Sequence, residues 1–107
     1  MKITSANRDL IQAFLVPKNE QEMAAFLRDL LTIDEIKDFS RRLEVARMLD
    51  KKISYKKIEE KTKMSSTTIA RIAKFFRGNL GGYRLILDRL SDKHHDSHLV
   101  ASADSSS

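Results

Sequence analysis

Hydroxyl and basic side chains recur at helical spacing between residues 54 and 76 of this 107-residue sequence. If the chain is helical from about residue 66, one outward face carries Ser66, Thr67, Ala70, Arg71 and Lys74. Small and hydroxylated side chains allow close approach to the edges of nucleic acid bases, and arginine and lysine can reach phosphate oxygens or guanine. The chemistry that this face could do is therefore recognition of a nucleic acid.

Positive charge is concentrated in the same part of the sequence. The whole chain has a net charge of +5, but residues 51–77 include nine basic and two acidic residues, which gives +7. The other eleven basic and thirteen acidic residues give −2. A patch of this sign favours a polyanion such as nucleic acid, although a solvated lysine-rich face would have the same composition.

Two short amphipathic helices are predicted to position this face. Ser54 can cap a first helix that ends near Lys61, and Ser65 or Ser66 can cap a second that ends at Phe76. The predicted inner side comprises Ile58 of the first helix, Met64 in the turn, and Ile69, Ile72, Ala73 and Phe76 of the second. The eleven-residue spacing from Ile58 to Ile69 is typical of a helix-turn-helix, whose second helix lies in the major groove of DNA. The alternative is that the two helices are only part of a hydrophobic core.

Two residues depart from the usual helix-turn-helix pattern. Glu59 stands where many such motifs have alanine, and Lys63 stands where they have a glycine in the turn. If the backbone is left-handed at Lys63, a side chain there costs about 1 kcal/mol, which a fold can tolerate.

The rest of the sequence is predicted to be helical, because apolar residues recur at three- and four-residue spacing and no long alternating run is present. One helix should span about residues 7–15 before Pro17, and a second should begin at a cap formed by Asn19. Thr32 and Glu35 have the spacing of a capping box for a third helix that runs to about residue 51. After a glycine-rich connection, a last helix should end near residue 90. We expect one domain over residues 1–90 and a disordered polar tail over 91–107.

Several other functions find little support in the sequence. There is no cysteine, and no apolar run approaches the roughly 20 residues of a membrane span, so we expect a cytoplasmic protein that does not bind membranes. Asp34 and Glu35 suit helix capping better than catalysis. His94, His95 and His98 are more simply solvated than metal-bound. We expect no enzymatic activity, no cofactor and no metal site.

The segment from Leu30 to Leu90 also resembles a known family. "LLTIDEIKDFSRRLEVARMLDKKISYKKIEEKTKMSSTTIARIAKFF" followed by "GGYRLILDRL" is similar to the Trp repressor superfamily, and most closely to its Trp-repressor-related (YerC/YecD-like) branch. The resemblance implies an all-α, six-helix, intertwined homodimer, in which each subunit offers one helix-turn-helix to successive major grooves. Interlocked N-terminal helices would explain apolar stripes that have too little partner surface within one chain.

The resemblance also implies an effector pocket, because the Trp repressor binds L-tryptophan beside its reading helix. The residues of matching type are Thr32, Arg42, Thr68 and Arg71. Directly after Arg71, however, Ile72 replaces a glycine that leaves space for the ligand, and Phe75 replaces a serine. We interpret Ile72 and Phe75 as core residues that fill the slot, so we expect that tryptophan is not the corepressor; whether another effector binds stays open.

Two functions from different classes remain. The first is a homodimeric, sequence-specific regulator of transcription that binds double-stranded DNA. Its expected contact residues are Lys56, Lys57, Ser65, Ser66, Thr67, Ala70, Arg71 and Lys74. The second is a helical protein-interaction module whose basic patch binds an acidic partner. Strong preference for one duplex sequence over random DNA would discriminate between them.

Overall fold

The computed structural model describes residues 1–92, and every regular element in that range is an α-helix. The helices are α1 (Ser5–Leu15), α2 (Glu20–Leu30), α3 (Ile33–Asp50), α4 (Tyr55–Thr62), α5 (Ser66–Phe76) and α6 (82–92). The all-α prediction and the count of six helices are confirmed. Among these described helices, none has the length and apolar character that crossing a bilayer requires. The histidines at 94, 95 and 98, and nearly all of the predicted tail, lie outside the described residues.

The chain divides into two compact units, Met1–Phe39 and Ser40–Ser107. In the first unit, side chains satisfy the free amides at the helix starts. Thr4 accepts from the amide of Asn7 over 3.1 Å, so α1 begins two residues before its predicted start. The Asn19 side chain accepts from the amide of Glu22 over 2.9 Å, as its capping role predicts. Polar residues before a helix therefore fix where both helices begin.

The predicted capping box at the start of α3 is present. The Thr32 hydroxyl accepts from the amide of Glu35 over 3.1 Å, and the amide of Thr32 donates to the Glu35 carboxylate over 2.9 Å. Each side chain thus satisfies an amide that the helix itself cannot pair. Thr32, Asp34 and Glu35 are all exposed at this helix start.

The apolar side chains of the first unit are only partly covered. The rings of Phe14 and Phe26 meet edge to face with centroids 5.6 Å apart, which packs α1 against α2. No residue of either helix is fully buried, and Leu15 and Val16 are each 71% exposed. The first unit by itself therefore leaves this apolar surface open.

The second unit has a well-defined hydrophobic core. Its buried residues come from four helices: Val45, Ala46, Met48 and Leu49 of α3, Ile58 of α4, Ile69, Ile72 and Ala73 of α5, and Leu87 of α6. Met64 and Phe76 pack against this cluster and are half-buried. Burial of Ile58 and Ile69 contributes roughly 1.5 to 3 kcal/mol each relative to exposure. The predicted inward direction of both short helices is thus observed.

Candidate nucleic-acid interface

The two helices α4 and α5 are joined by a short turn, Lys63 to Ser65. The Ser54 hydroxyl accepts from the amide of Lys57 over 3.3 Å at the start of α4. Lys63 ends that helix in the left-handed conformation, with φ 63° and its amide bonded to the carbonyl of Glu59. This is the position at which other helix-turn-helix motifs have a glycine, and the left-handed backbone that the sequence analysis considered only as a condition is present. The turn therefore folds as in that motif, with lysine in place of glycine.

Thr62 supports the turn from inside, a role that the sequence analysis missed. Its side chain is buried, and its hydroxyl donates to the carbonyl of Ile58 over 2.7 Å. The same oxygen accepts from the amide of Met64 over 3.3 Å, in the middle of the turn. The sequence did contain a signal for this role, namely a threonine four residues after the inward Ile58. At that spacing the threonine hydroxyl can donate to the backbone carbonyl of the isoleucine.

Ser65 precedes α5 and forms two hydrogen bonds with Thr68, one of which caps the helix. Its hydroxyl accepts from the amide of Thr68 over 3.2 Å and donates to the hydroxyl of Thr68 over 3.0 Å. Capping is thus the structural role of Ser65, which remains exposed. The first amides of a helix have no partner within the helix and favour an anion such as phosphate.

The outward face of α5 is accessible. Ile69, Ile72 and Ala73 are buried on the opposite side, with exposed fractions of 4% or less. All eight predicted contact residues are exposed: Lys56, Lys57, Ser65, Ser66, Thr67, Ala70, Arg71 and Lys74. The structure therefore brings small, hydroxylated and basic side chains together on the surface of one helix-turn-helix.

The basic residues of this surface outnumber its acidic ones, and in residues 1–92 they are not paired with carboxylates. All nine basic residues of the segment 51–77 are exposed. Within the part of the chain that the structure describes, none of the nine forms an ion pair with a carboxylate. Arg77 instead donates to the hydroxyl of Tyr55 over 3.3 Å. An uncompensated positive surface of this kind attracts a polyanion over a distance of about a Debye length, roughly 8 Å at physiological salt.

The four residues of the predicted effector pocket have different surroundings. Thr32 belongs to the first unit, where the capping box occupies its hydroxyl. Arg42, Thr68 and Arg71 belong to the second. Thr68 is half-buried and its hydroxyl accepts from Ser65, whereas Arg42 and Arg71 are exposed. Thr68 and Arg71 are three residues apart, so they lie on adjacent turns of α5.

The prediction that Ile72 and Phe75 are both core residues is wrong for Phe75. Ile72 is 4% exposed and belongs to the core cluster, whereas Phe75 is 61% exposed. Ile72 and its buried neighbours on α5 form the face of the helix that packs on the core. Phe75 follows Arg71 by four residues, which places it on the outward side of the helix beside that arginine. Of the two substitutions, only Ile72 fills space within the described subunit.

The fold and this surface define an all-helical protein of the helix-turn-helix class. The chain belongs to the Trp repressor protein family, whose model matches residues 6–91. That family consists of regulators rather than enzymes. The predicted membership and the Trp-repressor-like fold are confirmed.

Three relatives show how close the similarity is. The uncharacterised protein YerC of Bacillus subtilis (strain 168) is 38% identical over 88 residues, which cover 82% of this chain and 85% of YerC. The crystal structure of a TrpR-like protein from Eubacterium eligens matches with a TM-score of 0.76 and 40% identity, over 82% of this chain and 91% of that one. A Staphylococcus aureus protein proposed to be a Trp repressor matches with a TM-score of 0.78 and 34% identity, over 83% and 89%.

Proposed function

We propose that this protein is a homodimeric, sequence-specific regulator of transcription, whose helix α5 enters the major groove of double-stranded DNA. One observation carries the proposal: α5 buries one apolar face in the core and presents an exposed polar and basic face on the other side. A helix in the major groove must be anchored in this way and must also project from the body. The uncompensated charge around it supplies the attraction to phosphate.

The contact residues divide by the part of DNA that they reach. Ser66, Thr67 and Ala70 occupy the first turns of α5, and their short side chains suit close contact with base edges. Arg71 and Lys74 are longer and can reach guanine or a phosphate. Lys56 and Lys57 lie at the start of α4, where helices of this motif cross the backbone, so we assign them to phosphates together with the exposed cap residue Ser65.

A second copy of the chain is the proposed partner of the exposed N-terminal surface. On α1 and just after it, the large apolar side chains are 38 to 71% exposed: Leu10, Ile11, Phe14, Leu15 and Val16. Contiguous apolar surface of this kind marks an interaction site. A twofold dimer would cover it and would also present two copies of α5, as required for two DNA half-sites.

We further propose that tryptophan is not the corepressor. The position at which the Trp repressor has a space-leaving glycine is occupied here by Ile72, which is buried in the core with 4% exposure. A branched side chain in that place removes volume that an indole ring would need. The outward position of Phe75 contributes nothing to this argument within one subunit.

Selection of binding sites from a library of random duplexes tests the proposed function. We expect enrichment of a paired, inverted sequence whose two halves are centred about one helical turn apart, roughly 10 base pairs. If no duplex sequence is enriched after several rounds, and the protein binds acidic polypeptides tightly instead, a protein-interaction module is favoured. A single unpaired half-site would contradict the dimeric arrangement.

A further inference from the structure

Two residues other than glycine adopt the left-handed backbone conformation in residues 1–92, and both are lysines. Lys52 has φ 61° and Lys63 has φ 63°. In this conformation the Cβ atom crowds the neighbouring carbonyl, so helix ends of this type usually have glycine and sometimes asparagine. Neither position gains any conformational advantage from a lysine.

Backbone hydrogen bonds accompany the left-handed residue at both helix ends. At the end of α3, the amide of Lys52 donates to the carbonyl of Leu49 over 2.9 Å. The amide of Ile53 donates to the carbonyl of Met48 over 3.0 Å. Ile53 then packs against the core. At the end of α4, the amide of Lys63 donates to the backbone carbonyl of Glu59 over 2.9 Å. Glycine is compatible with the same backbone path, and a cation at a helix C-terminus also interacts favourably with the helix dipole, so the dipole is one reason for lysine and the position on the surface gives another.

The location of the two lysines suggests this second reason. Both are exposed and unpaired with any carboxylate in the described chain, and both lie within the basic segment 51–77. Lys52 precedes the cap of α4 by two residues, and Lys63 follows the last residue of α4. The eight residues of α4 span about 12 Å, so the two lysines bracket the helix that crosses the DNA backbone. Strained residues persist mainly where they serve function.

We infer that Lys52 and Lys63 bind DNA phosphates on either side of α4 and act as positioning residues for the reading helix α5. This inference rests on the proposed function, because it adds two cations to the same interface. Lys63 lies in the turn that leads into α5, so a phosphate held there fixes the entry of that helix into the groove. Glycine would relieve the strain but would leave both phosphates without a partner.

The test uses the full chain with Lys52→Gly or Lys63→Gly, and it measures two quantities that should change in opposite directions. Each glycine variant is expected to raise the melting temperature by a few degrees, because strain is removed. Each should also weaken binding to a mixed-sequence duplex of about 30 base pairs. In fluorescence anisotropy, the slope of log affinity against log salt should fall by about 2, because a dimer loses two phosphate contacts.

Matched variants separate charge from backbone strain. Lys52→Arg and Lys63→Arg keep both the charge and the strain, so each should retain the parental slope and melting temperature. Lys18→Gln removes an exposed lysine outside the basic segment and should leave the slope unchanged. If the glycine variants keep the parental slope, whatever their melting temperature, the inference is wrong while the proposed function stands. If the parent protein binds no duplex at low salt, both are wrong.

Discussion

The Nη1 atom of Arg77 donates a hydrogen bond to the hydroxyl of Tyr55 over 3.3 Å, and this bond joins the end of α5 to the start of α4. The two residues are 22 positions apart in the sequence. Ile58 and Ile69 hold the same two helices together from the core side. Contacts on the solvent side and on the buried side therefore both hold α4 and α5 together.

Replacement Tyr55→Phe removes only the hydroxyl that Arg77 contacts. Because both residues are exposed, we expect a small loss of about 0.5 kcal/mol in the free energy of unfolding, measured with urea. Tyr83→Phe is the matched control, since it removes the same atom from the other tyrosine, whose ring packs on the core. Equal losses in the two variants would contradict a specific role for the bond between Tyr55 and Arg77.

The buried hydroxyl of Thr62 should matter more than that exposed bond. In Thr62→Val, the amide of Met64 loses its acceptor inside the turn, so we expect destabilisation by about 1 to 3 kcal/mol. Thr62→Ser keeps the hydroxyl and should lose less. Thermal unfolding followed by circular dichroism measures both. A valine variant as stable as the parent would show that the turn does not depend on this oxygen.

Local signals made much of the fold predictable. Asn19, the pair Thr32 and Glu35, and Ser54 each bond to an amide three residues away, so residue type and spacing alone specify them. The inward positions of Ile58 and Ile69 follow from helical periodicity in the same way. The family resemblance extended these local predictions to the order of all six helices.

One error, at Phe75, and two omissions, at Lys52 and Thr62, concern features that depend on tertiary structure. The outward position of Phe75 depends on which residues of α5 already fill the core, and a spacing of three residues from Ile72 does not determine that. The left-handed conformation of Lys52 depends on where α3 ends, and lysine carries no signal for it. The contribution of Thr62 likewise depends on the path of the turn above it. Contact with DNA and the pairing of two subunits stay predictions.

The proposed dimer interface predicts an unusual response to charge on α1. Leu15 is 71% exposed in the subunit, so Leu15→Glu should barely affect an isolated chain, but it would place a charge in an apolar interface. We expect a shift toward monomer in sedimentation equilibrium. Gln12→Glu is the control, because Gln12 is an exposed polar residue of the same helix and should tolerate the charge. A parent protein that is monomeric at all concentrations would refute the interface.

The burial of Ile72 predicts how the protein responds to tryptophan. We proposed that the buried Ile72 takes up the volume that the ligand would need, so calorimetric titration of the purified protein with L-tryptophan should show no saturable uptake in the micromolar range. DNA affinity should likewise be the same with and without the amino acid. Saturable micromolar binding would show that the pocket lies elsewhere or that α5 moves to open it.

The most direct test of the account is fluorescence anisotropy of Thr67→Val against the selected duplex and its single-base variants. Thr67 is exposed on the first turn of α5, and loss of its hydroxyl should change the preference at one base position by about 1 to 3 kcal/mol. Lys56→Ala, as the control, should weaken binding to every duplex equally and reduce its salt dependence. If both variants bind all duplexes as the parent does, α5 and α4 do not form the DNA-binding surface.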